Sequence, residues 1–324
     1  MITTMVGNYP KISPDAKAPS LRTAINRFDE GRISLDDLKR VEDEVTQEVI
    51  QDQVDAGLDL VTDGQIRWDD GQTYFARGIT GYTINGLIRY FDTNTYYRHP
   101  IPEQKLQSNG GISVKDFEFA AANSQRPVKA VITGPYTLAR LSQLGCYDDL
   151  RSLVMDLAGI LNREARALQA AGATVIQLDE PSILKHKDDA DLFAEAIECV
   201  VDGITATKAL CTYFGDASGI HRRLFGLPVD LVGLDFVMGP ANFDLVADLP
   251  EDKMLGCGIV DARNTRAETA EEIAETIRRL AATVPMDRLH VNPSCGLDFL
   301  PRPNARAKLV RLVEGAKLAQ GSAS

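Results

Sequence analysis

Leu289-His290-Val291-Asn292-Pro293-Ser294-Cys295-Gly296-Leu297 reads as a strand running out into a turn. Leu289-His290-Val291 is a short apolar run, Asn292-Pro293 cannot continue a central strand, and Cys295-Gly296 follows where the backbone must turn. Cys295 therefore stands at the mouth of a strand. The alternative is a packed thiol, since free Cys is among the most buried residue types. What favours the first reading is a run of polar residues at equivalent strand ends along the chain.

Moving outward from this stretch, strands are expected over 254–260, 231–236, 205–213, 174–178, 127–133 and 58–64, with a short apolar opening closed by Val6-Gly7-Asn8-Tyr9-Pro10. Helical patterns follow each, including 35–55 behind the N-cap Ser34, 149–171, 189–201, 215–225, 243–249, 267–280 and 304–318, with the end from Ala319 expected to fray. Residues from about 70 to 126, rich in Gly, Tyr, Asn and Thr, break the rhythm and read as an insertion over the mouth, partly β-hairpin. Eight strands each followed by a helix predict a (β/α)8 TIM barrel spanning residues 1–324 as one domain, with this insertion after the second strand. A doubly wound sheet is the alternative, but no glycine-rich dinucleotide loop follows an early strand.

In such a barrel the active site lies where the strands end. The ends carry Asn8, Gln65, Gly134, Asp179, Cys211 with Tyr213, Asp235, Asp261 and Cys295. Packing alone would rarely finish eight strands with polar, thiol or backbone-exposing residues. For Asp179 and Glu180 the plain reading is backbone capping, yet two adjacent acids before Pro181 at a barrel mouth are otherwise costly. Asp261 either positions substrate or pairs with Arg263.

Composition narrows the partners. A formal net charge of −11, from 46 acidic and 35 basic residues, disfavours nucleic acid and anionic membrane surfaces. No apolar run approaches the ~18 residues of a membrane span. Five widely spaced cysteines without a CxxC pair argue against a disulfide framework, and a reducing cytoplasm fits best.

With these residues in place, the sequence resembles the cobalamin-independent methionine synthase family, specifically its short single-barrel members. The resemblance runs through Val6-Gly7-Asn8-Tyr9-Pro10, Asp63-Gly64-Gln65, Thr133-Gly134-Pro135, Gln177-Leu178-Asp179-Glu180-Pro181, Thr212-Tyr213-Phe214-Gly215, Val260-Asp261 and the opening stretch. It implies methyl transfer to homocysteine, whose thiol a zinc ion holds as the thiolate, the competent nucleophile. Carried over by position, it implies Cys211, Asp235 and Cys295 as metal ligands, Asp179 and Asp261 as catalytic residues, and Val6, Gly7, Asn8, Gln65, Asp179, Glu180 and Tyr213 around the substrate. Two departures stand out. Gln65 occupies a carboxylate position. The family's His-x-Cys motif either falls on Ala209 and Cys211, or, if Tyr213-Phe214-Gly215 sets the register, on Leu210 and Thr212; the reading taken here turns Cys211 inward. The methyl donor is expected to be methylcobalamin, free or on a corrinoid carrier protein, with methyltetrahydrofolate as competitor. A decarboxylase, an enzyme for another small thiol, and a non-catalytic barrel with a lapsed metal site are the other readings.

Overall fold

The computed structural model describes residues 1–12 and 21–321; of the end expected to fray, Ser322–Ser324 lie outside them. Nine strands occur among these residues. β1 is Ile2–Thr3, β2 Thr80–Arg89, β3 Tyr96–Gln107, β4 Ala130–Thr133, β5 Val175–Asp179, β6 Thr207–Cys211, β7 Leu231–Asp235, β8 Met254–Val260 and β9 Leu289–Pro293. Seven form one parallel sheet in the order β1-β9-β8-β7-β6-β5-β4. Between its edges lie two parallel bridges, Thr4 with Leu60 and Val61 with Val128, which close the sheet into the (β/α)8 barrel.

The second strand is only these two residues long, shorter than the 58–64 expected. Gln53 gives the reason: its side-chain amide takes the N–H of Thr62 (2.9 Å) and donates to the Thr62 carbonyl (2.9 Å). Backbone groups that would have extended the ladder are thus satisfied by a helix side chain.

Strand side chains alternate between barrel interior and helix layer. Leu178, Leu210, Val232, Leu234, Leu255, Cys257 and Val291 face outward and join Leu157, Leu161, Phe193, Ile197, Ile277 and Leu309 in the apolar core. The inward rows carry the polar and small residues, with Val131, Leu231 and Ile2 among them. One continuous register line runs Thr133, Asp179, Cys211, Gly233, Gly256, His290, Ile2. It begins at the C-terminal end of β4 and finishes at the start of β1, the stagger that barrel closure requires.

Helix Leu35–Ala56 starts at the Ser34 capping box and stops at Gly57, whose φ is +90°. A Cβ at Gly57 would also stand 3.2 Å from Val313. Gly57→Ala is therefore expected to lower stability by about 1–2 kcal/mol, read as a lowered urea midpoint at unchanged slope.

Helix 215–225 is a correction. Only His221–Phe225 is helical, because Asp216 caps the Ser218 N–H and Asn242 takes the Ala217 N–H, holding 215–219 as a loop. Helix Leu21–Asp29 was not foreseen. The 70–126 segment contains helix Gly71–Gly78, the antiparallel β2–β3 hairpin and helix Val114–Ala122. Glu164, fully buried on helix Leu150–Ala170, fastens it by accepting the N–H groups of Ile112 and Ser113 and the Ser113 hydroxyl.

Candidate active site at the barrel mouth

A cavity of about 250 Å³ opens at the C-terminal end of the strands. Of the substrate residues expected from sequence, Asn8, Gln65, Asp179 and Tyr213 line it, and so does Cys295. Each is aimed by its own strand end. Asn8 is fixed by the bond from the Leu297 N–H to its carbonyl (2.9 Å), which ties the first strand end to the last. Gln65 adopts φ +53° after the turn in which its N–H meets the Asp63 carboxylate (3.0 Å).

Asp179 is the best-supported polar group of the cavity. Its Oδ1 accepts from Gln177 Nε2 (2.7 Å) while Oδ2 lies 3.4 Å from the Tyr213 hydroxyl. The Gln177 amide is locked in turn: its oxygen accepts from Lys129 Nζ (2.6 Å), and Nε2 also reaches the Val6 carbonyl (2.9 Å). Burial pushes Asp179 up to about 7, against the downward pull of the Gln177 hydrogen bond and the Lys129 ammonium. Burial also pushes Asp298, another cavity carboxylate, up to about 6, and lowers the Lys129 ammonium from its ordinary value.

Val6 and Gly7 serve the site from behind it. Val6 offers its carbonyl to Gln177, and Gly7 leaves room for Gln65, whose Nε2 would stand 2.7 Å from any Cβ there. Two assignments are corrected by geometry. Glu180 is fully buried away from the cavity, and its oxygens accept the N–H groups of Tyr136 (2.9 Å) and Thr137 (2.8 Å) and the Thr137 hydroxyl (2.6 Å). It caps helix Pro135–Arg140. Asp261 does not line the cavity; it accepts the Arg263 N–H (2.9 Å) within its own turn.

The three residues expected to hold zinc are not assembled for it. Among the described residues, no group of three or more His, Cys, Asp or Glu is arranged to hold a metal ion. Cys211 does turn inward, level with Asp179, and its sulfur packs over Gly233. Burial, then the Asp179 charge, push its thiol up to about 12. Asp235 has both oxygens engaged, Oδ1 by the N–H groups of Val237 and Met238 and Oδ2 by that of Phe214. Burial, then Asp298 and Asp235, push the Cys295 thiol well up. These donors do not fit a zinc shell as they stand.

The sequence reading missed Lys11, Tyr90, Tyr96, Asp298 and Phe299, which also line the cavity. Asp298 and Phe299 directly follow the opening stretch and were legible there. Tyr90 and Tyr96 flank the hairpin turn, and no periodicity points a turn residue into a distant cavity. Trp68 lines the mouth as well, with its ring stacked on Tyr74 at 4.7 Å.

Comparison with known proteins bears on this geometry. Residues 1–318 match the family model described as the catalytic domain of cobalamin-independent synthase. The methionine synthase of Saccharolobus solfataricus is 35% identical over 320 residues, 98% of this chain and 94% of that protein. That of Sulfurisphaera tokodaii is 35% identical over 318 residues, 98% and 91%. In fold, the chain resembles a B12-independent methionine synthase from Shewanella sp. W3-18-1, solved in complex with selenomethionine, with a TM-score of 0.85, 23% identity and coverage of 98% and 97%. No described helix is long and apolar enough to cross a membrane. The expected methylcorrinoid donor and corrinoid carrier find no support in a family described as cobalamin-independent. A barrel mouth built from these strand ends, in a chain matched almost end to end at this identity, has one reading: the chain belongs to the cobalamin-independent methionine synthase family, as a methyltransferase of its catalytic-domain type.

Proposed function

We propose that this protein methylates the thiol of homocysteine to give methionine, with a methyltetrahydrofolate as donor. The observation that carries this reading is the convergence of Asn8, Asp179, Tyr213 and Cys295, from four strand ends, on one cavity. An amino-acid thiol needs a partner for its ammonium, and the Asp179 carboxylate, steadied by Gln177, offers an oxygen facing the cavity. The rim is aromatic, with Trp68, Tyr96, Phe214 and Phe299, and such faces suit a flat heterocycle.

Purified protein given homocysteine is expected to form methionine from methyltetrahydrofolate and not from methylcobalamin. Each donor is supplied separately and methionine is quantified; turnover with methylcobalamin alone would reverse the donor assignment. One observation favours a second acceptor class. Gln65, a neutral carboxamide, stands in the cavity where a second carboxylate would strengthen a grip on an amine. A thiol lacking the amino group, such as 4-mercaptobutyrate, is the comparison substrate, and a higher kcat/KM for it than for homocysteine would move the assignment to that class.

A further inference from the structure

Resting on that reading of the cavity, the mouth raises a question of thiol activation. A catalytic zinc site takes three protein donors and keeps one position open for substrate. Here the candidates are committed elsewhere. The two Asp235 oxygens hold two loops through three backbone N–H groups, Val237 and Met238 after β7 and Phe214 after β6. Cys211 does not line the cavity, and its sulfur packs over Gly233. His290 lies further down the same register line, opposite Ile2 at the N-terminal end of β1. Ala209, two residues before Cys211 and on the same face, brings no donor.

What fills the mouth beside Cys295 is phenol. Tyr213, the inward residue after Cys211, reaches toward Asp179 at 3.4 Å and hydrogen-bonds Tyr90 of the hairpin. Its ring meets Phe214 edge-on at 4.8 Å, and Phe214 packs against Phe91 at 5.5 Å. This is a packed aromatic wall, continuous from β6 to the hairpin.

We infer that this chain binds its acceptor without zinc, the Tyr213–Tyr90 pair standing beside Cys295 in place of metal ligands. The acceptor thiol then loses its proton to solvent, its sulfur lone pair forms the S–CH3 bond as the donor's N–CH3 bond breaks, and the departing nitrogen takes a proton from water. Only the thiolate attacks, so kcat/KM should climb roughly tenfold per pH unit toward the thiol's own pKa of about 8.5. A metal-held thiolate would already be formed at neutral pH.

The deciding experiment is elemental analysis of the full chain, expressed in zinc-supplemented medium and freed of loose metal by gel filtration. Wild type, Cys211→Ser and Cys295→Ser are expected to carry the same zinc content, below about 0.1 ion per chain against the single ion of a catalytic zinc site. Zinc that survives both substitutions lies outside the mouth and agrees with the inference. One zinc per chain in wild type, lost in Cys295→Ser, overturns it, as does a kcat/KM that is flat from pH 6.5 to 8.5. The metal measurement needs neither donor nor acceptor, so it stands or falls separately from the assignment of homocysteine.

Discussion

Replacing Asp179 with Asn raises the KM for homocysteine by one to two orders of magnitude while leaving the fold intact. The carboxylate is buried and held from below by Gln177. Its Oδ2, met among the described residues only by the Tyr213 hydroxyl at 3.4 Å, can therefore take a substrate ammonium in a site with little competing water. A charge-assisted hydrogen bond of this kind contributes roughly 1.5–3 kcal/mol, and each ~1.4 kcal/mol is a factor of ten in affinity. Asn keeps the shape and one acceptor but loses the charge. The pH dependence separates this role from a packing role. Burial has pushed the empty-site carboxyl up to about 7, so below that pH it is protonated and cannot pair with the ammonium. The wild-type KM should therefore rise as pH falls from 8 to 6, and the Asp179→Asn KM should stay level. Steady-state kinetics at three pH values checks both, and an Asp179→Asn KM equal to wild type at pH 8 would take Asp179 out of the acceptor site.

How much of this was legible before any coordinates follows from where the information resides. Strand ends are written locally: apolar runs stopped by Asn-Pro, Gly-Pro or Asp-Glu-Pro place Asn8, Asp179 and Cys295 at the mouth, and all three line one cavity. Side-chain direction is also local where a strand is regular, so Cys211 faces inward as read. What sequence does not write is which partner claims a group first. Glu180 reads as a cavity carboxylate until helix Pro135–Arg140 is folded against it and claims both oxygens. Asp235 reads as a ligand until the loop after β7 turns two N–H groups onto it and the loop after β6 a third. In each case the competing donors are backbone groups of a loop or helix end, present in every sequence and signalled by none. The hairpin aromatics were hidden for another reason, since the register and bulges of β2–β3 decide where Tyr90 lands.

Glu180 carries the other large expectation, this time on stability. Its carboxylate satisfies two backbone N–H groups at the start of helix Pro135–Arg140 and the Thr137 hydroxyl, with no exposure to solvent. The fit is close: a Cβ at Gly134 would stand 2.2 Å from Glu180 Oε1, so the carboxylate rests directly on the backbone. Glu180→Ala strands three buried donors, each costing about 1–3 kcal/mol unless water enters. A net loss of about 3 kcal/mol is expected, at the upper end of ordinary single substitutions. Glu180→Gln keeps the shape and an acceptor and should cost much less. The pH profile gives the sign. Burial pushes this carboxyl up to about 8 from its ordinary 4.5, although three donors pull the other way. Between those values the unfolded chain has released a proton that the native state retains, so stability must fall as pH rises through that window. Urea midpoints measured at pH 5, 6.5 and 8 should decline more for wild type than for Glu180→Gln, where this group no longer titrates. If the wild-type midpoint instead climbs relative to Glu180→Gln over the same range, the three donors outweigh burial and the carboxylate is ionised inside the barrel wall.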